Sequence, residues 1–399
     1  MLQFDTTEIE KTPRADLLTR HTKKVLKGNS AAAIAAKLSR VSLVTAYPIT
    51  PQTSIIEEIA DMISKGEFDA EIVNMESEHS VFAALIGASL TGERVFTATS
   101  GQGLFYAHEV LHAIAHMRLP VVACNVGRPS FPWNIWADQT DSISQRDTGW
   151  VQFYCESSQE VLDTVIQSYR LAEKHKLPVM VVLDAFYMSH TSENVYIPDQ
   201  KMVDEFCPPR EKTDDQINLK HPKAFGGLVG PDIYDKYNRL HWESICKVEK
   251  ETNQLGHEFD EAFGRKYAAV EAVNINEKTK KILVTMSSIT TTARQVVSRH
   301  PEVGLLKIRL FRPFPKESVL KVLDTVSDDC LIINIDRNFP GETEGAMMQE
   351  MKRALHGVPN KIFGVFAGLG GRDVSSKTIE NILEVDFRAP GAEQVIWVT

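Results

Sequence analysis

The sequence predicts an α/β protein built from two doubly wound parallel-sheet domains. Three observations predict it. Runs such as VSLVTAYP (41–48), LPVVACNV (119–126) and LPVMVVLDAF (177–186) are apolar along almost their whole length, the mark of a strand buried on both faces. These runs alternate with stretches whose apolar residues fall at helical spacing, as a parallel sheet with crossover helices requires. The alternation stops between about Thr191 and Arg265 and resumes near Lys280, which divides the chain into two units.

In chain order, residues 1–29 have no clear period and read as an exposed N-terminal leader. Domain one spans 30–190. AAAIAAKL reads as a helix, VSLVTAYP as a strand and QTSIIEEIADMI (52–63) as a helix. EIVNM (71–75) is a strand, HSVFAALIGASL (79–90) a helix and RVFTAT (94–99) a strand. FYAHEVLHAIAHM (105–117) and EVLDTVIQSYRLAEKH (160–175) complete the helices. Residues 191–269 are polar and carry Pro, Gly, Asn and many charges, so they read as an insertion or linker with short helices, for example in 241–251. Domain two, 270–399, has strands KILVTMSS, VGLLKIRLF, CLIINIDR and KIFGVFAG between four helical stretches.

Composition narrows the function. The 53 acidic residues outnumber 44 basic ones, for a net charge of −9, which argues against a nucleic-acid partner. No apolar run approaches the ~20 residues of a membrane helix. The opening MLQFDTTEIEKTPRADLL is polar and acidic, unlike a secretory signal. Cysteines 124, 155, 207, 246 and 330 include no CxxC pair. A cysteine-framed zinc or iron–sulfur site on this chain alone is thereby excluded, and reduced thiols in a cytoplasm are expected.

Four constellations could carry chemistry, each where a strand runs into a helix. That edge of an open parallel sheet is where ligands bind. In AYPITPQTS (46–54), Pro51 suits a first helical position and Thr50 an N-cap; Thr50 could equally offer its hydroxyl to an anion. In NMESEHS (74–80), Glu76 and Glu78 stand at a helix start, with Ser77 a candidate cap; such acids are stabilising there whatever else they do. In TSGQGL (99–104), Gly101 and Gly103 permit close backbone approach to a ligand. In NVGRPSFPWNIWADQTDSISQRDTGW (125–150), Arg128 follows a strand end and could hold a carboxylate in two parallel hydrogen bonds. It could also be a surface arginine paired with Asp138 or Asp141. A fifth pattern, His108-Glu109-Val110-Leu111-His112 with His116 beyond, matches the HExxH of zinc hydrolases. Its helix must pack on a parallel sheet, and histidines in a subunit contact or a hydrogen-bonded core are the preferred reading. No metal site is assigned to the chain.

AYPITP, then MESEHS, then the strand–Gly–Arg turn and DQTDSISQRDTGW form an ordered set. Together they resemble the alpha subunit of the multi-subunit pyruvate:ferredoxin oxidoreductases, which are thiamine-diphosphate-dependent 2-oxoacid oxidoreductases. KIRLFRPFP and IDRNFPG follow in the family's order. The resemblance implies that 30–190 is a thiamine pyrimidine-binding domain and that 270–399 is a transketolase-C-terminal-like domain. It implies that Glu78 hydrogen-bonds the aminopyrimidine ring, that Thr50 and Arg128 contact the oxoacid, and that Tyr47, Pro48, Ser100, Gly101 and Gln102 line the cofactor.

The implied reaction is oxidative decarboxylation of a 2-oxoacid to an acyl-coenzyme A. Pyruvate is the first choice of substrate, with branched-chain or aryl oxoacids such as phenylglyoxylate as alternatives. The chain has no GDG followed ~25–30 residues later by Asn, so the family pattern implies that a beta subunit binds the diphosphate and Mg2+. Gamma and ferredoxin-like delta subunits would carry or contact the iron–sulfur clusters, with ferredoxin or another acceptor beyond and a dimer of heteromers as the assembly. Two departures are visible: GQGL stands where the family often has SQGL, and MSSITTTA opens domain two without the expected glycine turn. The aromatic SFPWNIW after Arg128 bears on which oxoacid fits. Competing readings are a non-catalytic scaffold subunit and the zinc hydrolase.

Overall fold

The computed structural model describes residues 12–213, 215–357 and 361–398. Its strands, in chain order, are β1 His21–Lys27, β2 Leu43–Ala46, β3 Glu71–Asn74, β4 Val95–Thr99, β5 Val122–Gly127, β6 Val151–Tyr154, β7 Val179–Asp184 and β8 Ser192–Pro198. They continue as β9 Val270–Val273, β10 Lys281–Thr285, β11 Val303–Ile308, β12 Leu310–Arg312, β13 Leu331–Asp336, β14 Lys361–Phe366 and β15 Val395–Trp397. The first large sheet runs β12-β6-β7-β5-β4-β2-β3 and the second β15-β14-β13-β10-β11-β9. Pairing is parallel throughout except for β12 on β6 and β9 on β11.

The uninterrupted apolar runs have the physical cause expected of them. In β5, Val122, Cys124 and Val126 face one core while Ala123 faces another; in β7, Val179, Val181 and Leu183 oppose Met180 and Val182. Both faces are covered by helices, so neither set needs to be polar. The second sheet repeats this, with Ile282, Val284 and Ile332 on one face and Leu283, Ile333 and Ile335 on the other. The architecture is the two-domain parallel α/β fold predicted.

Three local expectations change. The stretch read as a leader holds β1, which pairs antiparallel with β8 in a separate two-stranded ribbon. Its side chains are mostly exposed, so no hydrophobic period could announce it; residues 1–11 lie outside the described part. The polar connector contains a helix at Pro231–Ile245 and a longer one at Val248–Phe263. In the second, Val248, Thr252, Leu255, Phe259 and Phe263 are buried against the core of domain one. Their spacing is helical, but the intervening charges mask it. Finally, VGLLKIRLF is two strands. Arg309 and Leu310 both donate to the Ala269 carbonyl, and beyond that break β12 leaves the second sheet and pairs with β6 at the edge of the first.

Candidate active site

β2, β3, β4 and β5 are parallel neighbours, so their carboxyl ends and the turns after them lie along one edge. The turn after β2 differs from expectation. The helix starts at Thr53, its N-cap position is Gln52, and Gln52 makes no capping bond. Thr50 is therefore not the cap, and the Thr50–Pro51 peptide is cis. Two amides brace the turn instead. Asn29 Nδ2 donates to the Pro51 carbonyl at 2.8 Å and to Ser54 Oγ at 2.7 Å, and Gln52 Nε2 donates to the Tyr47 carbonyl at 2.9 Å. Thr50 and Pro48 are left exposed and Tyr47 half-buried.

After β3, Ser77 caps the helix Glu78–Leu90 through the Ser80 amide. The two glutamates then part. Glu76 is exposed and accepts from the Ser80 hydroxyl. Glu78 is 9% exposed, and its carboxylate takes no hydrogen bond among the described residues.

The glycines after β4 explain why Glu78 fits there. A Cβ on Gly103 would lie 2.5 Å from Glu78 Oε1 and 2.7 Å from Thr99 Oγ1. A Cβ on Gly101, whose φ is +47°, would lie 2.6 Å from Arg128 Nε. These glycines admit side chains of the same protein, not only a ligand as the sequence suggested.

After β5, Arg128 is 8% exposed. Its guanidinium donates to the Thr50 carbonyl and to Gln102 Oε1, and Gln102 Nε2 donates on to the Ser130 carbonyl. Burial lowers its pKa, while the charges of Asp141 and Glu78 act in the opposite direction. The guanidinium makes no ion pair with Asp138 or Asp141 among the described residues. Asp141, fully buried, instead accepts from the Arg128 amide at 3.1 Å, the Gly101 amide at 2.8 Å, Asn125 Nδ2 at 3.0 Å and the Ser142 amide at 2.6 Å. Burial pushes its carboxyl up to about 6 against these four donors.

Thr50, Gln102 and Arg128 are thus joined directly, and Glu78 is seated beside them over Gly103. Buried Thr99 Oγ1, Ser100 Oγ, Asn125 Oδ1 and Arg128 Nε lack hydrogen-bond partners among the described residues. Buried polar groups are normally paired, so this group is suited to a polar ligand. Asn29 and Asn125 were not anticipated, and Asp141 was considered only as an ion-pair partner of a surface Arg128. Asn29 stands in the stretch read as a leader, and Asp141 stands in a polar run where acids are ordinarily solvated. Neither carries a sequence signal.

The HExxH helix has a different geometry. His108, His112 and His116 lie in a row with ring centroids 5.0 and 6.2 Å apart, and His116 stacks on His241 at 5.3 Å. Glu109 turns to His79 at 3.3 Å. No group of three His, Cys, Asp or Glu side chains among the described residues is disposed to hold a metal ion.

Residues 34–256 match the family model described as pyruvate flavodoxin/ferredoxin oxidoreductase, thiamine diphosphate-binding, and 279–379 match pyruvate:ferredoxin oxidoreductase core domain II. The chain belongs to this oxidoreductase family. Among its relatives is the ketoisovalerate oxidoreductase subunit VorA of Pyrococcus horikoshii, 44% identical over 91% of this chain and 93% of that subunit. Another is the pyruvate synthase subunit PorA of Methanocaldococcus jannaschii, 41% identical over 94% of this chain and 97% of that subunit. A solved 2-oxoglutarate:ferredoxin oxidoreductase from Magnetococcus marinus shares the fold, with a TM-score of 0.70 at 19% identity over 91% of this chain. The chain spans 65% of that longer one. No described helix is long and apolar enough to cross a membrane.

Proposed function

We propose that this chain is the catalytic alpha subunit of a cytoplasmic 2-oxoacid:ferredoxin oxidoreductase, converting an oxoacid and coenzyme A to an acyl-coenzyme A and CO2. Pyruvate is the first choice of substrate, and a branched-chain oxoacid is the alternative that the ketoisovalerate relative favours. The observation that carries the reading is the convergence of Thr50, Glu78, Gln102 and Arg128 at one sheet edge, beside unpartnered buried polar atoms. Thiamine diphosphate, when bound, would supply the nucleophilic carbon and the electron sink that decarboxylation of a 2-oxoacid needs.

The residues present fit that cofactor. Glu78 offers a buried carboxylate with no hydrogen bond among the described residues, and it would accept a hydrogen bond from the aminopyrimidine. Ser100, with its buried hydroxyl, the backbone of Gly101 and Gln102, and Tyr47 and Pro48 would help to hold the cofactor. Arg128 has five N–H donors and uses two of its terminal nitrogens on Thr50 and Gln102. The remaining donors bind the oxoacid carboxylate without releasing this brace, and the exposed Thr50 hydroxyl meets the neighbouring carbonyl.

The diphosphate and Mg2+ fall to a beta subunit, and gamma and ferredoxin-like delta subunits hold the iron–sulfur clusters, in a dimer of heteromers. The test is to purify the native complex and assay a panel of 2-oxoacids with coenzyme A and an artificial electron acceptor. Pyruvate-dependent reduction is expected. An intact complex with no oxoacid-dependent turnover would leave only the scaffold role.

A further inference from the structure

The strongest unassigned feature is Asp141. It makes no contact with the substrate-facing atoms of Arg128, yet it grips the chain on both sides of them. Asp141 Oδ2 alone receives the Gly101 amide, the Arg128 amide and the Asn125 side chain. Gly101 precedes Gln102, and Gln102 accepts from the Arg128 guanidinium. The contacts therefore close a ring: Asp141 to Gly101, through Gln102 to the guanidinium, along the Arg128 side chain to its own amide, and back to Asp141. Gly101 also stands where any Cβ would strike Arg128 Nε, so its backbone leaves no room for a side chain beside the guanidinium. A carboxylate accepts on both oxygens, three donors on Oδ2 and the Ser142 amide on Oδ1; an amide keeps an oxygen for the three only by turning its nitrogen, a donor, toward the Ser142 amide. Gln102, bonded to the Arg128 guanidinium and to the Ser130 carbonyl, also ties the β4 and β5 ends together, and Asp141 joins the backbone beneath that contact.

We infer that Asp141 is a positioning residue that sets the aim of the Arg128 guanidinium for the carboxylate of a 2-oxoacid. This rests on the reading of Arg128 given above. The test is a double-mutant cycle in the assembled complex, with KM for the oxoacid and kcat measured for Asp141→Asn, Arg128→Ala and the pair.

Asp141→Asn should raise KM by ~10-fold or more, the scale of a lost charge-assisted bond, and change kcat far less. In the Arg128→Ala background it should raise KM no further, because its effect runs through Arg128. If Arg128→Ala leaves KM unchanged, the reading of Arg128 fails and the inference falls with it. If Arg128→Ala raises KM while Asp141→Asn does nothing, or acts equally in both backgrounds, the inference is overturned and that reading stands. Should Asp141→Asn not assemble, Asn125→Ala, which removes one donor from the same oxygen, is carried through the same cycle. A KM rise that vanishes without Arg128 supports the inference, and its absence overturns it.

Discussion

The two parallel sheets present the same kind of edge and use it differently. In domain one, the turns after β2, β3, β4 and β5 gather a hydroxyl, a carboxylate, an amide and a guanidinium, and leave several buried polar atoms unpaired. In domain two, the turns after β10, β13 and β14 carry similar residues, and these reach into domain one. Asp184, at the end of β7, accepts from Arg337 at 2.6 Å, from the Ser288 amide at 3.2 Å and from the Ser288 hydroxyl. Ser287 donates to the Cys155 carbonyl at 3.1 Å, and the Gly370 amide donates to Asp138 at 3.0 Å. Asn134 and Tyr187 donate to the carbonyls of Gly370 and Gly371 at 2.9 and 3.0 Å. One edge is thus available for a ligand, and the other fastens the loop that follows Arg128. Serine, aspartate, arginine and glycine at strand ends do not by themselves distinguish the two uses.

The contrast breaks most sharply at Glu78. Glu78→Ala should lower oxoacid-dependent dye reduction by ~10²- to 10⁴-fold, the usual range for a positioned acid–base group. The complex should still assemble, since the carboxylate makes no hydrogen bond among the described residues. Retained turnover would remove Glu78 from the chemistry.

The matching lesion in the docking edge is Arg337→Ala. It leaves the fully buried Asp184 without its charged partner, a change that typically costs ~3–5 kcal/mol. Thermal or denaturant unfolding should record that loss. An unfolding curve that does not move would mean that Ser288 alone satisfies Asp184.

A glycine pair sharpens the comparison at smaller amplitude. An added Cβ at Gly103 meets Glu78 Oε1 at 2.5 Å, and one at Gly345 meets the Asp336 carboxylate at 2.2 Å. Overpacking of this kind costs ~1–3 kcal/mol. Gly103→Ala should appear chiefly as lost turnover. Gly345→Ala should appear as lost stability, because Asp336 is bound to the Met347 amide at 2.9 Å and to Asn338 at 3.1 Å, where the next helix begins. Equal effects of both on turnover would dissolve the distinction between the edges.

How much of this was legible follows from which forces leave a trace in sequence. Burial on both faces writes itself as unbroken apolar runs, so β2, β4, β5, β7, β10, β13 and their helices could be read directly. The exposed strand β1, the buried but four-residue β6 and the short edge strands β9, β12 and β15 could not, because each is too exposed or too short to show a period. Glu78 and Arg128 were visible as candidates because strand ends flag the ligand edge, whereas Gln102 followed only from the family resemblance. Asp141 and Asn29 act through backbone amides and carbonyls, which every residue possesses. Thr50 was rightly placed in the turn but wrongly made its cap, because Asn29, distant in sequence, satisfies that turn instead.

The smallest expected effect concerns the row of histidines. An HExxH zinc site needs its two histidines to converge on one point with the glutamate beside it. Here His108 bonds to Gln145, His116 to the His112 carbonyl of its own helix, and Glu109 to His79. Burial and the neighbouring His108 and His116 hold the His112 pKa below its ordinary value, which favours the uncharged ring. His112→Ala should therefore change stability by no more than ~1 kcal/mol and leave oxoacid turnover and metal content as they were. Metal analysis of the purified chain decides the matter. Stoichiometric zinc that disappears on this substitution would restore the hydrolase reading and place a second functional centre on the helix after β4, away from the edge that Glu78 and Arg128 share.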